Sequence, residues 1–152
     1  MEADAVNVTG DDNNNQQPFP VILDELGKPI GAAALAYLGD AVFELQVRKR
    51  LVTCGQYNLN GMHKAAVDTV SASAQAAALA RLSPVLTPQE VAVVRMGRNT
   101  KTSVPRSASV SEYRLSTGFE ALVGYLYLSG NERRLQELMN LVWEEGDRQD
   151  ED

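Results

Sequence analysis

Cysteine and histidine are nearly missing from this sequence: Cys54 and His63 are the single examples of each in 152 residues. One cysteine excludes an internal disulfide, and one of each excludes a Cys/His zinc cluster and makes a Cys/His nucleophile pair implausible. No apolar run approaches the roughly 20 residues that span a bilayer, and no segment shows the strict alternation of a half-buried strand. Residues 1–20, MEADAVNVTGDDNNNQQPFP, have neither the charged-then-apolar layout of a secretion signal nor the Arg-rich composition of a transit peptide. They read as a disordered acidic tail of a cytoplasmic protein, with no membrane association. Chemistry on this chain has to use carboxylates, hydroxyls and cations.

Net charge is also on the wrong side for a polyanion partner, at -6, but the charges are segregated. Between Arg48 and Arg114 ten Lys/Arg face three acids, Asp68, Glu90 and Glu112, a local excess of seven positive charges. Six acids precede residue 26 and eight follow residue 131. The termini therefore set the acidic balance, while the middle of the chain is suited to a polyanion.

Helical spacing runs through that middle. Ala34, Leu35, Leu38, Val42, Leu45 and Leu51 recur mostly three or four apart, which predicts a helix from Lys28 to Cys54, with Pro29 near its start and Gly55 just beyond. A second helix is expected from about Leu59 to Leu82; its many Ala and Ser residues suit close packing deep in a bundle. Thr87-Pro88-Gln89-Glu90 reads as a capping box that opens a short helix ending near Gly97. RNTKTSVPRSASV then has no helical period and carries Arg98, Lys101 and Arg106, a long basic loop of the kind that tends to be functional. EYRLSTGFEALVGYLYLSG predicts a further helix stopped at Gly130, and Asn131 opens a last amphipathic one. The expected fold class is all-α: one domain over residues 21–146, flanked by the tail at 1–20 and an acidic tail at 147–152. Tyr113, Phe119, Tyr125 and Tyr127 are spaced as core or interface residues rather than as base-stacking platforms.

Two acids stand out because their neighbours are apolar or glycine: Asp40 in YLGDAV and Glu120 in GFEAL. A carboxylate on such a stretch is expected to be buried, and burial needs a partner, either a cation such as Arg114 or a metal ion. If the two helices pack face to face, both acids can meet one cation of the hard, oxygen-preferring kind. Glu44, one turn beyond Asp40, is a candidate third carboxylate.

At these residues the sequence resembles the ribonuclease III catalytic domain, and most closely its stand-alone Mini-ribonuclease III branch. The resemblance covers about Ala34 to Leu138 through ALAYLGDAVFEL (34–45), HKAAVDTVSASAQA (63–76), VVRMGRN (93–99) and YRLSTGFEALVGYLYL (113–128). It implies a helical ribonuclease III-type domain that forms a homodimer and hydrolyses phosphodiesters in double-stranded RNA. Asp40 and Glu120 would be the catalytic, metal-binding pair, with Mg2+ as cofactor and Mn2+ as a substitute. The cellular task it implies is maturation of large-subunit (23S) ribosomal RNA precursor ends, with assistance from a ribosomal protein on the substrate. Full-length ribonuclease III has two more site carboxylates, at the places held here by Ala36 and Thr117, so one ion per site is expected rather than two. The stretch after Trp143 reads as too short and too acidic for a double-stranded RNA-binding domain, so Arg95, Arg98, Asn99, Lys101 and Arg106 are the expected RNA-binding residues, with His63 and Lys64 as a second contact. The competing reading is a non-catalytic RNA-binding module of the same fold, which would not need both acids.

Overall fold

The computed structural model describes residues 21–100, 103–106 and 109–149, with side chains described as far as Glu144. Six helices make up the described fold: α1 (Ala32–Cys54), α2 (Leu59–Thr69), α3 (Ala72–Leu82), α4 (Pro88–Arg98), α5 (Val110–Leu128) and α6 (Glu132–Gln149). No strand occurs among the described residues, only an isolated bridge between Leu23 and Pro29. The all-α expectation holds. Residues 1–20 lie outside the described residues, and the boundary expected after residue 146 falls inside α6.

Helix ends follow local chemistry. α1 starts at Ala32 rather than Lys28 because the preceding segment folds on itself: the Asp24 carboxylate accepts from the N–H groups of Leu26 and Lys28, both at 2.9 Å, and Gly27 turns the chain at φ 77°. It stops at Gly55, which takes the left-handed conformation at φ 69°. The helix expected over 59–82 is two helices. Ser71 adopts an extended backbone and its hydroxyl accepts from Ala74 N at 3.2 Å, so it caps α3 instead of continuing α2. Only α3 is deep, burying Gln75, Ala76, Ala78, Leu79 and Leu82, whereas α2 buries Ala66 alone. The capping box forms as read: Thr87 Oγ1 accepts from Glu90 N, and a Glu90 carboxylate oxygen accepts from Thr87 N at 2.9 Å.

α5 is the central helix. Ser116 to Phe119, Ala121 to Gly124 and Leu126 are all buried, as expected of a helix covered on every side. Phe119 meets Phe43 of α1 edge to face at 4.8 Å, and Trp143 of α6 stacks on Phe43. Tyr113 and Tyr125 are half-buried, and Tyr127 is exposed.

Glycines bring two of these helices unusually close to α5. A Cβ on Gly39 of α1 would overlap the carbonyl oxygen of Glu120, and one on Gly124 of α5 would overlap the carbonyl oxygen of Leu35. On the other flank, a Cβ on Gly97 of α4 would come within 2.8 Å of Gly118 Cα. Both crossings are backbone against backbone.

One buried ion pair ties the ends of the bundle together. Glu90 accepts from Arg134 Nε at 2.9 Å and Nη2 at 2.8 Å, and the same guanidinium donates to Val85 O at 2.7 Å. Burial pushes the Glu90 carboxyl up, but Arg134 and the Thr87 backbone outweigh it and hold it below its ordinary value. Removing one partner of such a pair leaves the other charge uncompensated. Arg134→Ala is therefore expected to lower unfolding free energy by about 3 kcal/mol in urea melts. Arg133→Ala, at a side chain 93% exposed, should stay within about 0.5 kcal/mol. Equal effects would remove the special role of Arg134.

Candidate active site

The Gly39–Gly124 crossing places Asp40 beside Glu120. Asp40 follows Gly39 directly, and Glu120 is the residue whose carbonyl Gly39 touches. The two carboxyl groups are close enough for Asp40 to raise the Glu120 carboxyl. Burial was expected for both acids, but only Glu120 is half-buried; Asp40 is exposed. The reason is rotational: Gly39 takes the face toward α5, so its neighbour Asp40 sits at the edge of the crossing and reaches the rim.

Two carboxylates this close repel one another unless a cation lies between them. Burial and the Asp40 charge raise the Glu120 carboxyl from its ordinary 4.5 to about 7; the Gln75 amide opposes that shift. Among the described residues neither acid meets a Lys or Arg, so the alternative of an ion pair to Arg114 is not realised.

The remaining candidates distribute as follows. The Glu44 carboxylate pairs with Arg48 at 2.9 Å, one turn along α1. Among the described residues no group of three acids, histidines or cysteines is placed to hold a metal ion. Ala36 and Thr117 are buried, and the Thr117 hydroxyl donates to Tyr113 O at 3.0 Å, so neither adds a ligand. What is left is a pair of carboxylates with one rim open to water. That donor set suits Mg2+, which keeps several waters and takes one or two protein carboxylates.

Arg95 and Arg98 are exposed at the end of α4 and line one groove with Leu115 of α5. The Gly97–Gly118 contact brings them there, and the Arg98 stem lies over Gly118, two residues from Glu120. Asn99, exposed, caps α4, and Arg106 is exposed in the following loop. Lys101 lies outside the described residues. His63 and Lys64 are exposed on α2, where His63 shares a groove with Arg48, Leu51, Val52, Leu59 and Met62 rather than with α4. Sequence reasoning missed Gln75, although a long polar residue inside an alanine run of a deeply packed helix is a visible signal.

Comparison with known proteins gives a consistent picture. Residues 33–131 match the model of the ribonuclease III domain. The chain is 55% identical over 106 residues to a protein named Mini-ribonuclease 3 from Symbiobacterium thermophilum, covering 69% of this chain and 82% of that one. A protein of the same name from Enterococcus faecalis is 41% identical over 116 residues, covering 74% and 88%. Among solved structures, a crystal structure of a Fusobacterium nucleatum protein superposes with a TM-score of 0.69 at 30% identity, covering 74% of this chain and 92% of that one.

The raised Glu120 carboxyl has a consequence for stability without metal. Between its ordinary 4.5 and about 7 the folded chain holds a proton that the unfolded chain has released, so stability falls as pH rises through that window. In EDTA, the melting temperature is expected to drop by a few degrees from pH 5 to pH 8, and Glu120→Gln should flatten the slope. A flat profile in the parent protein would mean that neither burial nor Asp40 raises the Glu120 carboxyl.

Proposed function

The chain belongs to the ribonuclease III family, in its Mini-ribonuclease III branch, and from that premise we propose that it is an endoribonuclease that cuts double-stranded RNA with one divalent ion held by Asp40 and Glu120. The observation that carries this reading is the pair of carboxylates brought together at the α1–α5 crossing, which no described cation neutralises. When bound, Mg2+, or Mn2+ in its place, lowers the pKa of water and offsets charge developing on the phosphate. Glu120 supplies a fixed oxygen, held by burial and by Gln75. Asp40, on the rim, supplies the second and faces the direction from which a duplex arrives.

Substrate grip falls to the exposed cations at the end of α4 and in the loop after it. Arg95, Arg98 and Asn99 sit on the neighbouring helix end, Arg106 and Lys101 follow in the loop, and their donors suit phosphates across the minor groove of A-form RNA. His63 and Lys64 form a second positive region on α2.

A homodimer is supported by the apolar surface left open. Tyr37, 86% exposed, Leu45 and Val52 on α1, and Leu59 and Val67 on α2 are large apolar side chains in water, which a second copy of the chain would cover. A two-fold axis would give two sites for two antiparallel strands. The finer reading places the enzyme in the cytoplasm, maturing 23S ribosomal RNA precursor ends with help from a ribosomal protein on its substrate.

Asp40→Asn and Glu120→Gln should each lower cleavage of a paired RNA hairpin by roughly 100-fold or more, with hairpin affinity nearly unchanged in a gel-shift assay. Full cutting by either variant removes that residue from the site. Arg95→Glu with Arg98→Glu should weaken hairpin binding and flatten its salt dependence by roughly one unit of slope per lost phosphate contact; unchanged affinity would move RNA off α4. Sedimentation should give twice the 16.5 kDa chain mass, and Leu45→Asp should give the monomer.

A further inference from the structure

Gln75 is 1% exposed, on the buried face of α3. A leucine would fill that place without the cost of burying an amide, so the amide needs a reason. Two partners supply it. Gln75 Nε2 donates at 3.2 Å to Val70 O at the break between α2 and α3, and the amide lies close enough to the Glu120 carboxylate to favour its charged form.

Both partners are acceptors, so only the NH2 end of the amide can serve them, and its orientation is fixed by chemistry. The opposite end shows what this arrangement gives up: Gln75 Oε1 is buried with no hydrogen-bond partner. Buried acceptors are rarely left so. The side chain is thus held in the one orientation that ties Glu120 to the backbone of the helix break, while half of its own hydrogen-bonding capacity goes unused.

We propose that Gln75 is a positioning residue for Glu120, fixing its carboxylate toward Asp40 in the geometry that takes the divalent ion. The inference rests on reading the pair as an ion site. Groups that orient a metal ligand ordinarily contribute about 10–100-fold to metal affinity, and Gln75 does this from a helix that carries no ligand itself.

The test is calorimetric titration of the RNA-free, full-length protein with Mn2+, comparing the parent, Glu120→Gln and Gln75→Met, which matches glutamine in length but has no donor. Gln75→Met is expected to bind Mn2+ about tenfold more weakly while melting in EDTA within a few degrees of the parent. Its RNA cleavage should recover toward the parent rate as Mn2+ is raised. A purely structural defect would instead depress the rate at every Mn2+ concentration, and that result would overturn the proposal. Should Gln75→Met fail to fold, Gln75→Asn, which keeps an amide one methylene short of Glu120, is measured in the same way. Parent-like Mn2+ affinity in either folded variant, with affinity lost in Glu120→Gln, overturns the role of Gln75 alone. Parent-like affinity in Glu120→Gln overturns the ion-site reading and this proposal with it.

Discussion

The backbone contact between α1 and α5 at Gly39 and Gly124 is the constraint from which the rest of the molecule follows. Neither position has room for a Cβ, because each faces a carbonyl oxygen of the other helix, Glu120 from Gly39 and Leu35 from Gly124. Glycine inside a helix costs about 1 kcal/mol relative to alanine, so two of them at one crossing are kept for proximity rather than for helix formation. Side chains at an ordinary crossing hold helix axes 8–10 Å apart. Here their absence lets residues next to the contact meet across it. Asp40 and Glu120 come together because one follows a glycine at the contact and the other provides its facing carbonyl.

The second crossing, Gly97 against Gly118, uses the same device on the other flank of α5. The acids and the cations are therefore carried on three helices but referred to one, and α5 acts as the common ruler. The Arg98 stem lies over Gly118 on the α4 flank of that ruler and the Glu120 carboxylate faces α1, so the cations and the acid pair share one helix while no described cation neutralises the pair. A direct Arg–Glu120 contact would have satisfied the carboxylate and closed the site to a metal. The Glu90–Arg134 pair shows what that closed arrangement looks like: bidentate, with the carboxylate buried.

Much of this was legible in the chain. The capping box at Thr87, the stops at Gly55 and Gly130 and the apolar spacing of α1 and α6 are local signals, and they produced the helices nearly as found. The paired acids were legible through their unsuitable neighbours and the family resemblance. Other features were not, for a common reason: they depend on which face a residue presents. Spacing placed Glu44 one turn from Asp40, but Arg48 is one turn from Glu44 as well, and nothing local decides which partner it takes. Asp40 was expected to be buried because its neighbours are apolar, yet a residue beside a glycine contact lies at the rim. The break at Val70–Ser71 was hidden because serine in an alanine-rich run reads as a small packing residue and not as a cap. Arg134 and Glu90 are 44 residues apart, and no pattern in the sequence joins them.

The two carboxylate sites divide stability and function between them. Glu90 is held in its charged form by a guanidinium, so its contribution is present at neutral pH and is lost only in acid. Glu120 is pushed the other way by burial and by Asp40, so without metal its contribution diminishes as neutral pH is approached. A protein of this size has only a modest margin of stability, and an acid pair left without a cation draws on it. The Glu90–Arg134 clamp, which joins α4 to α6 and the Val85 carbonyl away from the Gly39–Gly124 crossing, lets α5 keep an unneutralised pair at its centre. The clamp supplies rigidity at neutral pH, while the acid pair stays unsatisfied there, in the pH range where, on the proposed reading, a divalent ion would displace its proton.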